Sequence, residues 1–445
     1  MAAVPARPTY FTVSGGAEPE VPGLPTRWDL WLLSPYFGLH RPGACSLHTA
    51  GVLEAYDDLD RDAPASPLQL HTPRGFRRAI ARGAGRPDLD HDDPCGLPRD
   101  HWTSDWSRLV NLYGNVPELS GEQRFRLGVL LCALDLDAAA LRMLPSPDAA
   151  SVTTDPLAAK TAMKRGHALS RARPGPETEN ADRRILASIA RSTALPARIC
   201  LTATLTLLVK AARGRAPDLD AVQELRELSA THVGALDRDD TPMGLLLRST
   251  YWRAVSYEPF LRGNHARTAH ELDAAEEFAR QGVEERPGML LFRQNLHPLL
   301  ETRSRAARER GDLDVAVAYA TELTELDPYD GKVHYNLGTT RRACGDHEGA
   351  LTAFRHAVTL GLPYAHRARV AVAQCLEALG DLPSALAEYV EAVRANPADH
   401  RAADGARRLA SRTGRPEVLD WHHGWLMAWR RRLAQGNPHV SGRSA

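Results

Sequence analysis

Two pairs of thiol and imidazole side chains stand close together in this sequence: Cys45 with His48, and Cys95 with His101. Thiolate and imidazole are the usual ligands of zinc, so the two pairs together could supply the four donors of a tetrahedral site. Metal binding would also explain how a loop-rich segment stays ordered. The spacing is not the more common repeated C-x-x-C, and Cys and His scattered without a shared role is the default reading. The acidic runs Asp57, Asp58, Asp60, Asp62 and Asp88, Asp90, Asp92, Asp93 offer oxygen ligands. They lack the Gly and closing Glu of a calcium loop and read as solvated surface. His422 and His423 are adjacent, and neighbours on a helix point about 100° apart, so they chelate one ion poorly. The chain has no Walker loop, no G-x-S-x-G and no H-E-x-x-H. No catalytic residue is assigned and no cofactor is expected.

The chain that would position these residues has 445 residues, 43% apolar and 25% charged, with a formal net charge of zero. Those proportions are those of an ordinary globular protein of two or three domains or one long stack. Zero net charge lacks the basic excess that coats nucleic acid or a membrane surface. Basic residues are almost all Arg, Lys being confined to Lys160, Lys164, Lys210 and Lys332. Six dispersed cysteines suit a reducing cytoplasm. The N-terminal MAAVPARPTYFTV has no charged start followed by an apolar run, so no leader peptide is expected. The longest apolar run, about Ile199–Val209, is too short to cross a bilayer.

Residues 1–116 are dense in Pro and Gly yet carry Trp28, Trp31, Trp102 and Trp106, which predicts an ordered but loop-rich segment. Leu and Ala at helical spacing predict helices over 123–144, 180–195, 197–213, 219–236 and 243–261. Strand alternation is not evident. The expected fold class is all-α, divided into a loop-rich region 1–116, a helical array 117–262, repeats 263–400, and capping helices with a tail over 401–445. In the last of these, Trp421, Trp425 and Trp429 make one helical stripe that reads as packing.

The repeats carry the clearest signal. Gly-Asp pairs begin at Gly311, Gly345 and Gly380, which are 34 and 35 residues apart. Five residues after each Gly stands Ala316, Ala350 or Ala385, and each unit closes on Pro328, Pro363 or Pro397. A tight turn needs the Gly, close helix packing needs the Ala, and Pro cannot continue a helix. Ser304, Gly338 and Ala373, seven before each turn, are small enough to face those alanines.

YNLG at 335–338 followed by GDHEGALTAFRHAV at 345–358 resembles the tetratricopeptide-repeat family, as does VAVAQCLEALGDLPSALAEYVEAVRANP. The resemblance covers roughly residues 265–400, and it implies a helical-repeat superhelix whose first helices line a concave groove. The groove positions implied are Arg305 and Arg308, then Lys332, Tyr335, Thr339 and Arg342, then Arg367 and Gln374, with Glu301 and Glu377 as the acids. A mildly basic groove of this kind suits an acidic peptide, since guanidinium pairs bidentately with carboxylate. Tyr335 and Thr339 stand where chaperone-binding members carry a Lys and Asn clamp, so that mode is not expected. The reading is a cytoplasmic adaptor for a protein or peptide. The alternatives are an enzyme or accessory subunit whose substrate the repeats recruit, and a peptide-sensing regulator.

Overall fold

The computed structural model describes residues 46–60, 92–96, 99, 102, 104–214, 216–236, 242–361, 364–395 and 399–418, with 423, 424 and 427. Every regular element among them is helical and none is a strand, which agrees with the all-α expectation. The described helices include none long and apolar enough to cross a membrane. The described residues divide into two compact units, one built from 47–60 and 92–310, the other from 311–418 with Ser46.

The first unit contains α1 (Leu47–Asp57), α2 (Ser104–Gly114), α3 (Gly121–Ala133), α4 (Asp137–Met143), α5 (Pro156–Ala172), α6 (Pro176–Ala190), α7 (Ala197–Ala212), α8 (Leu219–Gly234), α9 (Pro242–Val255), α10 (Tyr257–Leu261), α11 (His265–Glu285) and α12 (Leu290–Arg310). The segment expected to be loop-rich thus holds two helices, α1 and α2. Their apolar residues Val52, Leu109 and Tyr113 are buried, so tertiary packing stabilises helices that a Pro-rich sequence does not advertise. Helices pack as antiparallel pairs, α5 with α6, α7 with α8, and α9 with α11 across the short α10, while α3, α5, α7, α9 and α12 also touch in series. Ile189, Leu201, Leu205, Leu208, Val222 and Val255 form the shared core. Helix starts are set by side chains: Ser120 and Gln123 form a capping box, and Asp155, Asp218 and Asn264 cap α5, α8 and α11.

One expected helix, 123–144, is broken. Asp135 takes φ of 61° between α3 and α4. Arg171 of α5 reaches both Asp135 and Asp137, the latter at 2.9 Å, and all three side chains are under 10% exposed. A left-handed Asp costs conformational energy, which this buried ion pair offsets. The expected helix 243–261 also divides, between Val255 and Tyr257.

The second unit is α13 (Leu313–Leu326), α14 (Gly331–Ala343), α15 (His347–Thr359), α16 (Ala365–Ala378), α17 (Leu382–Ala395) and α18 (His400–Arg412). Gly345 and Gly380 turn the chain between paired helices with φ of 78° and 84°. Ala350, Ala385 and Ala392 are wholly buried, as the repeat pattern requires. Gly338 makes room for an aromatic of the facing helix. Its nearest neighbour is the ring of Phe354, and a Cβ there would lie 2.7 Å from that ring. The aromatic therefore fills the space inside its own helix pair. Gly405 of α18 likewise admits Tyr389, so α18 docks on α17 as the next first helix of the stack. The tryptophan stripe at Trp421, Trp425 and Trp429 lies outside the described residues.

Candidate functional site

In the second unit α14, α16 and α18 are linked along one face by their side chains. Arg342 of α14 donates to the Gln374 amide oxygen on α16. Glu377, one turn further along α16, accepts from Arg408 of α18 at 2.7 Å and from Arg412 at 3.3 Å. The hydrogen bond from Arg408 holds the Glu377 carboxyl below its ordinary range, with Arg412 adding to the effect against partial burial. Arg408 and Arg412 are about half exposed, 49% and 52%, so their charges remain open to a ligand.

The other expected residues divide by role. Arg367 is exposed on α16, and Lys332 is half-buried in the first turn of α14 behind the Asp330 cap. Tyr335 packs between Phe354 and Tyr364, with ring centroids 5.5 and 6.0 Å away. The Thr339 hydroxyl donates back to the Tyr335 carbonyl at 3.0 Å. Those two shape the floor more than they offer polar groups. Arg342 lies 5.7 Å from the Phe354 ring centroid, which orients its guanidinium by cation–π attraction. Cations on this face are Lys332, Arg342, Arg367, Arg408 and Arg412, set against Glu377. Arg408 and Arg412 were missed because α18 reads as a capping helix. The small residues Ala402, Gly405 and Ala406, all buried, were the available sign that it continues the stack.

Arg305 and Arg308 are exposed on α12 in the first unit. Of the four residues considered for zinc, His48 sits half-buried on α1 and Cys95 is exposed in the turn Pro94–Gly96. Burial and the Asp93 carboxylate push the Cys95 thiol up. Cys45 and His101 lie outside the described residues.

The first unit also holds a buried charged cluster that the sequence did not announce. Lys164 stands near Cys132, Asp137 and Arg171, and burial lowers its pKa. Burial pushes the Asp137 carboxyl up to about 6, opposed by Arg171 and aided by Asp135. Burial pushes the Cys132 thiol up to about 12, so it is inert at neutral pH. Arg171 engages both carboxylates, which assigns the cluster to the α3–α4 turn.

The tetratricopeptide repeat family profile matches residues 302–361 and 335–400. No curated protein matches the chain by sequence. Among solved structures, the apo form of RapI is 9% identical with a TM-score of 0.44, covering 74% of this chain and 97% of that one. MamA is 16% identical with a TM-score of 0.28, covering 39% and 96%. The human IFIT1 dimer with PPP-AAAA is 11% identical with a TM-score of 0.37, covering 74% and 78%.

Proposed function

We propose that this chain, whose residues 302–400 are tetratricopeptide repeats, is an adaptor that holds an acidic peptide of a partner protein along α14, α16 and α18. The repeats are a protein-interaction fold, and the helical face supplies the preference. The observation that carries the reading is the cation surplus among Lys332, Arg342, Arg367, Arg408, Arg412 and Glu377: Arg342 is satisfied by a neutral amide, and Glu377 is shared between two guanidiniums. A glutamate or aspartate side chain of a ligand meets arginines that are already aimed and only half-desolvated. Bidentate pairing with them fixes register. A reducing cytoplasmic setting fits the free, dispersed cysteines.

The test is binding of full-length protein to immobilised peptides of graded net charge. Acidic peptides are retained and basic ones are not. Each half-exposed contact is worth about 0.5–1 kcal/mol. The triple variant Arg342→Glu/Arg367→Glu/Arg408→Glu therefore weakens an acidic peptide by roughly tenfold or more, and more at low salt than at high. Equal retention of acidic and basic peptides, or an unchanged affinity in the triple variant, removes the proposal.

A further inference from the structure

In the first unit α3, α5, α7, α9 and α12 touch one another in series, and α4, α6 and α8 make their principal contacts with that row. A row whose members all adjoin is the inner, shorter arc of a curved stack. α1 closes this arc, touching α3 at one end of the row and α12 at the other. A polar tie marks each end. The Gln294 amide on α12 donates to the Leu47 carbonyl at 3.1 Å. Arg126 on α3, itself buried, donates to the Asp58 carbonyl at 3.1 Å, and its Nε lies 3.8 Å from the Asp58 carboxylate. Between the ties α1 buries Leu47, Gly51, Val52 and Tyr56, while Glu54 is exposed.

Little within α1 makes it a good helix. Gly51 stands in its middle, its first turn carries no acid and its last turn no base, so neither propensity nor the macrodipole favours it. Asp58 follows the C-terminal end, where the dipole is already negative, and Arg126 answers that charge. At 11 residues α1 is too short to stand alone in water. Its helical state therefore depends on its seat, and elements of low intrinsic stability are the ones that open first. α1 relates to the inner row as a bound helix relates to its receptor: apolar side chains set into a surface, with polar groups fixing both ends.

We infer that the inner row of the first unit is a helix-binding site, that α1 is its resident, and that an amphipathic helix of a partner protein displaces α1 from it. The seat sets the chemistry of the incoming helix. It carries apolar residues where Val52 and Tyr56 lie and a carboxylate at its C-terminal end for Arg126. The site uses none of the residues of the α14–α16–α18 face.

The experiment uses full-length protein and a fluorescein-labelled synthetic peptide of residues 47–60. In wild type the amides of α1 exchange roughly tenfold or more faster than those of α3 and α12. Excess peptide speeds α1 exchange further, because it captures the open state, while α3 stays protected. Glu54→Pro breaks α1 without altering a buried side chain. By fluorescence anisotropy this variant binds the peptide about tenfold or more tightly than wild type, since the resident competitor is weakened. A peptide carrying Val52→Asp is not bound, and one carrying Asp58→Lys is bound severalfold more weakly. The inference is overturned if α1 opens only together with α3 and α12, or if excess peptide leaves α1 exchange in wild type unchanged. It is equally overturned if Glu54→Pro binds the peptide no better than wild type, or if the altered peptides bind as the native one does. Failure of Glu54→Pro to fold also overturns it, because a displaceable resident is not required for the fold.

Discussion

Replacing Gly338 by Ala sets two effects against each other, and the structure says which one wins. Ala is favoured over Gly inside a helix by about 0.5–1 kcal/mol. The new Cβ, however, would lie 2.7 Å from the ring of Phe354, well inside contact distance. That ring has no exposed surface, and Tyr335 leans on it at 5.5 Å, so it has nowhere to swing. Overpacking of this kind costs roughly 1–3 kcal/mol, so the net result is a loss of up to about 2.5 kcal/mol. Phe354→Ala empties the same space and costs about 3–5 kcal/mol. In Gly338→Ala/Phe354→Ala the added methyl occupies part of the void, and the double variant is less damaged than the sum of the singles by about 1–2 kcal/mol. Whole-chain melting is a poor assay for a chain of two units. Hydrogen exchange of the amides in α14 and α15 reads the local opening energy instead. A stabilising Gly338→Ala, or a double variant that is strictly additive, would refute the packing argument. Arg342 adds a functional consequence: Phe354→Ala removes the ring that orients its guanidinium.

Three further outcomes follow from the buried charges. Arg171→Met leaves Asp135 and Asp137 buried without their cation and destabilises the α3–α4 turn by about 3–5 kcal/mol. Exchange in 121–143 that stays close to wild type contradicts this. In the second unit His334 packs on His356 with ring centroids 4.1 Å apart, and its Nε2–H donates to the Pro328 carbonyl oxygen at 3.0 Å, which places the proton of the neutral ring on Nε2. Burial, with His356 beside it, lowers the His334 pKa to about 4, so the folded state prefers the neutral ring. This contribution is present above the unfolded value of about 6.5 and is lost as pH falls from there through about 4. His334→Gln flattens the decline, and an unchanged pH profile of exchange in α14 rules the assignment out. Asp137 carries the opposite sign: with its folded value raised to about 6, it favours the folded state when neutral, so the first unit gains stability as pH falls from about 6 toward the unfolded value near 4. Asp137→Asn abolishes that gain, which comparative exchange between pH 7 and pH 5 detects.

Much of the second unit was legible in the chain. The Gly-Asp spacing located the turns at Gly345 and Gly380, and the regularly placed alanines located the contacts at Ala350 and Ala385. The signal is strong because each unit repeats the same local requirements of turn, small residue and stop. The close approach of Phe354 to Gly338 was not foreseen, since periodicity places a residue on a helix face but does not say which neighbour arrives there. Arg408 and Arg412 were overlooked for a related reason. The helix that carries them lies beyond the last full repeat, and only its docking through Gly405 on Tyr389 makes it part of the same face.

The first unit was legible only as helical. Leu and Ala periodicity foretold α7 almost to the residue, yet it ran α3 and α4 together across Asp135. Nothing local in that stretch demands a left-handed residue. The demand comes from Arg171, 36 positions away. By itself, then, the sequence determined the helical class and the repeat, because these depend on spacing within about 40 residues. Tertiary structure alone decided which charges are paired, which are buried and which are left open. Pairing and desolvation depend on groups distant in the chain, and no local pattern encodes them.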